Sequence, residues 1–118
     1  MWTRTRPLNS RYGNIRNEYN GRVYHSKKEA NYAAELDLLK KAGQIADWKP
    51  QVRIPLDVNG FHICNYYIDF EVSHNDETTE YVEVKGFQTD VWRMKWKLLE
   101  ALYDEKVKSG EVKLTVVY

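Results

Sequence analysis

The apolar positions of the chain fall into two periods, and the changes between them mark its elements. Residues 1–17 show neither period and contain Pro7, Gly13 and three Asn, which reads as a mobile segment. Asn20-Gly21, between Tyr19 and Val23, is a two-residue hairpin signal and predicts a short ribbon over 17–25. Ser26-Lys27-Lys28-Glu29 is a capping box, so a helix should start there, run to about Lys41 and stop at Gly43. Its apolar stripe is Tyr32, Ala33, Leu36 and Leu39. Residues 44–48 predict a short strand that Pro50 interrupts. Residues 51–58 predict another, placed at an edge or a bulge by Pro55.

Asn59-Gly60 is a second hairpin signal and leads into the longest strand, 61–72. Strict alternation puts Cys64, Tyr66, Ile68, Phe70 and Val72 on its core face and Tyr67, Asp69 and Glu71 on the other. A polar loop over 73–78 precedes the strand Tyr81-Val82-Glu83-Val84-Lys85-Gly86, whose two valines should turn inward. A second helix starts at Thr89 or Asp90 and ends near Gly110, with Val91, Met94, Leu98 and Leu102 at helical spacing toward the sheet. Residues 112–118 form a final strand. The order helix, three strands, helix, strand predicts an α/β sandwich around one mixed sheet: an arm at 1–17, then a single domain over 18–118.

Composition agrees with one folded domain. The chain has 118 residues, and four Trp, nine Tyr and three Phe separate it from disordered sequences. One cysteine, Cys64, excludes an internal disulfide framework and any multi-cysteine metal site, so a reducing compartment is expected. The start of the chain turns polar within a few residues, and no run is apolar enough for a membrane span. A soluble cytoplasmic protein is the expectation.

Charge changes the picture more than composition does. A net charge of +1 conceals a gradient: residues 1–28 hold seven basic residues against Glu18 alone, and the remainder is acidic by five. Arg4, Arg6, Arg11, Arg16, Lys27 and Lys28 then read either as an arm for a polyanion or as the solvation of a loose end. Arg93, Lys95 and Lys97 crowd the start of the second helix, where cations oppose the helix dipole. A phosphate backbone accounts for them, and so does a solvated face beside Trp92 and Trp96.

Candidate chemistry centres on Glu83 and Lys85. Two residues apart on a strand, they stand on one face. The strand carrying Asp69 should pair antiparallel with theirs, which brings Asp69 beside Glu83. Glu29, on the inward side of the first helical turn, either bonds the amide of Ser26 or supplies a third carboxylate. Two unit charges ~4 Å apart interact by roughly 4 kcal/mol at an effective dielectric of 20, so clustered carboxylates want a cation or a shared proton. Oxygen ligands suit Mg²⁺, or Mn²⁺ in its place, better than zinc. His25, His62 and His74 lack ligand spacing, and no glycine-rich phosphate loop is present.

Ile68-Asp69 followed by Glu83-Val84-Lys85 resembles the bipartite D…(D/E)-x-K signature of the PD-(D/E)XK nuclease superfamily. The wider pattern, Ser26 to Ala30, Lys41-Ala42-Gly43, Tyr67 to Phe70 and Val84-Lys85-Gly86 with Thr89 soon after, is similar to small phage-encoded nucleases related to Holliday-junction resolvases. Ile68 stands where the superfamily's name has proline. The resemblance spans about residues 12–105 and implies a restriction-endonuclease-like αβββαβ core. It implies Asp69, Glu83 and the Val84 carbonyl as metal ligands, Glu29 as the helix-borne acid and Lys85 as the catalytic lysine. Gln51 matches a glutamine found near such sites. The function implied is a Mg²⁺-dependent endodeoxyribonuclease that leaves 5′-phosphates and cuts branched DNA such as a four-way junction. A resolvase cuts two strands symmetrically, so a homodimer is expected. A nuclease for a nick, flap, mismatch or specific site, or a DNA-binding module without catalysis, are the alternatives.

Overall fold

The structure, a computed structural model, describes residues 17–86 and 88–118. The predicted arm, with Arg4, Arg6, Arg11 and Arg16, therefore lies outside the described residues. The chain divides between Glu35 and Leu36, within a helix, into two compact units.

The first unit opens with a ribbon of β1 (Glu18–Tyr19) and β2 (Arg22–Val23). Asn20 and Gly21 both take positive φ, 52° and 82°, as a turn between right-twisted strands requires. Helix α1 (Lys27–Lys41) follows. The Ser26 hydroxyl accepts from the Glu29 amide at 3.1 Å, which satisfies one of the helix's open donors. Ala30 and Ala33 are buried in this unit, and Glu29 is only 6% exposed.

In the second unit α1 closes on Gly43. The Gln44 amide donates to the Leu39 carbonyl and the Gly43 amide to that of Lys40, the paired bonds of a Schellman cap. Leu36 is buried, whereas Leu39, placed in the apolar stripe by spacing, is 38% exposed. Four strands then form one sheet in the order β3 (Asp47–Val58), β4 (Phe61–Ser73), β5 (Thr79–Val84), β6 (Val112–Val117). The first three pair antiparallel and β6 joins β5 in parallel, so the sheet is mixed and the fold is α/β. After the ribbon the order is α, three strands, α, a short α, and a strand. No helix among the described residues is long and apolar enough to cross a membrane.

Two sequence expectations fail here for identifiable reasons. The strand predicted to break at Pro50 runs through it, because β3 is an edge strand and an edge leaves a proline's missing donor without a partner to lose. The second helix is two pieces, α2 (Asp90–Leu102) and α3 (Asp104–Lys108), separated by Tyr103 at φ −102° and ψ 10°. Tyr103 packs edge-on to Tyr81 of β5, and the helix axis gives way to that contact.

The buried face of α2 is only partly the expected one: Leu98 packs against the core as predicted, and Val91 and Met94 do not. Val91 and Met94 are 59% and 68% exposed, and Trp96 and Leu99 are buried, with Trp92, Leu98 and Tyr103 packed beside them. Trp92, Trp96, Leu99 and Tyr103 recur at helical spacing one residue out of phase with the predicted set. Indole rings bring far more apolar area than Val or Met, so they win the inward face. Under them lie Ile54 and Leu56 of β3 and Tyr66 and Ile68 of β4.

Candidate active site

The site forms where β4 breaks its alternation. Tyr66 and Ile68, at even positions, pack in the cluster under α2. Tyr81 packs on that same cluster, yet its register partner on β4 is Glu71, at an odd position. Phe70 and Val72 are buried outside the cluster, with Phe70 paired to Val82 and edge-on to Trp48. The side-chain sequence therefore reverses between Ile68 and Asp69, and Ile68, Asp69 and Phe70 are all buried in succession. The expectation that Cys64 through Val72 share one face is corrected accordingly, and Tyr67, grouped with Asp69 by alternation, is 56% exposed.

Gln51 stands opposite this reversal. It falls between the pairs Pro50↔Phe70 and Val52↔Ile68, and its φ is 51°. That left-handed conformation costs a residue with a Cβ roughly 1–2 kcal/mol. In a strand it turns the following side chains to the other face, which matches the reversal across the ladder.

Asp69 sits one step past the last β4–β5 pair, Phe70↔Val82, and in register with Glu83. Its Oδ2 accepts from the Val84 amide at 2.8 Å, so a side chain replaces the ladder where the strands part. Glu83, 4% exposed, projects beside it. The Glu83 Oε2 lies 3.3 Å from the Lys85 Nζ, as their two-residue spacing predicts. Its Oε1 is buried and makes no hydrogen bond among the described residues. Burial, and then the charge of Asp69, raises the Glu83 carboxyl to about 7, against the opposing pull of Lys85 and the Tyr66 hydroxyl. Near neutral pH the Glu83 carboxyl is therefore partly protonated beside Asp69.

Two residues that the sequence reading did not assign complete the surroundings. The Tyr66 hydroxyl accepts from the Trp92 Nε1 at 2.7 Å. Burial, then the charge of Glu83, pushes the Tyr66 phenol well above its ordinary range, so it stays neutral. The Trp92 ring lies under the Lys85 ammonium, 4.9 Å from Nζ to its centroid. Alternation makes Tyr66 a core residue, and the sequence sets Trp92 only beside a run of cations. Only the parting of β4 from β5 under α2 reveals either one.

The other predicted residues are distributed as follows. Glu29 is buried in the first unit, with Lys27 and Lys28 exposed near it in sequence. On α2, Arg93 pairs with Asp90 at 2.7 Å, Lys95 donates to the Asn65 carbonyl at 3.4 Å, and Lys97 is exposed. The Arg93 contact with Asp90 offsets part of the dipole conflict seen in the sequence. Val84 has its amide committed to Asp69 and its side chain buried.

Among the described residues no group of three or more His, Cys, Asp or Glu is set to hold a metal ion. Asp69 and Glu83 are two oxygen donors, and one carries an unsatisfied buried oxygen. Mg²⁺ ordinarily binds through one or two carboxylates and keeps waters or phosphate oxygens in its other positions, so this donor set fits it. A tetrahedral nitrogen–sulfur site for zinc does not fit.

A search of curated proteins returns no match. A family model described as "Protein of unknown function (DUF1064)" matches residues 9–116, nearly the whole length, and the chain belongs to that family.

Proposed function

We propose that this protein is a Mg²⁺-dependent endodeoxyribonuclease whose preferred substrate is branched DNA, a four-way junction first among them. One observation carries the reading: two buried carboxylates, Asp69 and Glu83, stand side by side with Lys85 where two strands part, and a carboxylate oxygen there lacks a hydrogen bond. Burying acids in that way is unfavourable for a module that only binds a polyanion. The α/β order of elements is compatible with a restriction-endonuclease-like core.

Asp69 and Glu83 are the residues to hold the ion, with the Val84 carbonyl as the resemblance implies. A bound Mg²⁺ supplies charge neutralisation at the scissile phosphate and acidifies water. Lys85 stabilises the charge that develops on the phosphoryl oxygens. The Asp69 bond to the Val84 amide keeps that carboxylate from turning. Gln51 stands across the ladder from Asp69, and Arg93 and Lys97 offer phosphate contacts along the exposed side of α2, with half-buried Lys95 between them on the Asn65 carbonyl. The resemblance also gives Glu29 an acidic role, which loss of cleavage in Glu29→Gln would support and unchanged cleavage would remove. A four-way junction has two-fold symmetry, so the active form is a homodimer. Its single Cys64, unpaired by disulfide, suits the reducing cytoplasm.

The test is cleavage of a labelled immobile four-way junction beside matched linear duplex with Mg²⁺, for wild type, Asp69→Asn and Lys85→Ala. Paired symmetric nicks in the junction alone, lost in both variants, support the reading. Equal cutting of duplex redirects it to another DNA target. Junction binding without cutting in Mg²⁺ or Mn²⁺ replaces it with a binding module.

A further inference from the structure

We infer that Trp92 is a positioning residue of this site, holding the Lys85 ammonium on its ring face and the Tyr66 hydroxyl with its ring N–H. The inference rests on the nuclease reading for its catalytic meaning, but its geometry stands independently. Three elements meet at this one side chain: α2 supplies the indole, β4 supplies Tyr66, and the residue after β5 supplies Lys85.

The Trp92 Nε1 donates to the Tyr66 Oη at 2.7 Å, which occupies the phenol's acceptor side and leaves its proton to donate. The indole thereby fixes the direction of the Tyr66 hydroxyl. The ring face of the same indole lies 4.9 Å from the Lys85 Nζ, within the range of a cation–π contact. Lys85 also reaches Glu83, at 3.3 Å. A lysine has a flexible four-carbon stem, so two contacts in different directions are what confine its charge. Trp92 is itself confined, stacked on buried Trp96 at 5.9 Å with rings inclined by 24°. Trp96 in turn packs edge-on to Tyr66 at 6.1 Å. Aromatic packing that looks like ordinary core therefore fixes the direction of two polar groups around Glu83.

The experiment pairs a spectrum with kinetics. In the full chain, the Trp92 indole N–H resonance is identified by its loss in Trp92→Phe, and its exchange with solvent is measured without metal. Protection in wild type, lost by about tenfold or more in Tyr66→Phe, is expected. Lys85→Met should shift the Trp92 ring resonances and leave those of Trp48 in place. Exchange at the solvent rate in wild type, or no response to either substitution, overturns the inference. On junction DNA, Trp92→Phe keeps a ring for Lys85 and loses the N–H. It should lower kcat about tenfold with KM unchanged. Tyr66→Phe added to it should lower kcat no further, whereas two independent, multiplying losses overturn the coupling. Trp92→Leu, which removes the ring as well, should fall below Trp92→Phe. A wild type that cuts no DNA defeats the nuclease reading alone, since the exchange result then decides the geometry by itself.

Discussion

The two halves of β4 are built from the same kind of sequence and do different work. From Cys64 to Ile68 the strand alternates: Cys64, Tyr66 and Ile68 go under α2, while Tyr67 stays exposed. From Asp69 to Ser73 the phase is reversed, and the side that would have continued the apolar face under α2 carries Asp69 and Glu71. The first half is held by apolar burial. The second half brings a carboxylate against another carboxylate, which burial alone opposes. The comparison teaches that a strand delivers charge to a packed face by breaking its own period, and that Gln51 across the ladder absorbs the break.

The largest contrast lies in the proposed nuclease activity. Asp69→Asn or Lys85→Ala should reduce cleavage by about a thousandfold or more while leaving the midpoint of thermal unfolding near that of wild type. Ile68→Ala, one residue away and fully buried, should do the converse. It should cost about 2–5 kcal/mol in denaturant unfolding, the range for a large aliphatic reduced to alanine in a core. A comparable loss of stability in Asp69→Asn would erase the distinction between the halves.

The next effect separates them by pH. The Glu83 carboxyl is raised in the folded protein, so the folded state binds its proton more tightly than the unfolded chain does. Its contribution is fully present below the ordinary glutamate range and is lost as pH rises through about 7. Metal-free protein should therefore lose on the order of 3 kcal/mol between pH 4.5 and 7.5, and Glu83→Gln should flatten most of that slope. Added Mg²⁺ should restore stability at pH 7.5 in wild type and not in the variant. A slope that survives in Glu83→Gln would assign the titration elsewhere.

The smallest effect probes the break itself. Gln51 adopts φ 51°, where glycine carries no steric cost, so Gln51→Gly should be neutral or stabilise by up to about 1 kcal/mol. Arg53→Gly, two residues along the same strand in regular pairing with Tyr67, should destabilise by about 0.5–1 kcal/mol. Equal losses at both positions would show that Gln51 is ordinary strand.

Local signals in the sequence determined much of this protein. Asn20-Gly21 and Asn59-Gly60 need positive φ and take it, Ser26 caps the Glu29 amide, and Gly43 closes α1, because each depends on neighbours within a few residues. The Glu83–Lys85 pair follows from the two-residue repeat of a strand. Tertiary structure alone decided the rest. Spacing offers α2 two apolar faces one residue apart, and only the sheet beneath chooses Trp92 and Trp96 over Val91 and Met94. Pro50 reads as a break until β3 proves to be an edge. The reversal at Gln51 and Asp69 has no local mark, since neither residue is a glycine and the register across them is unshifted. It comes from strands that must pair with Phe70 facing one layer and Ile68 the other, a constraint that exists only once the sheet is assembled.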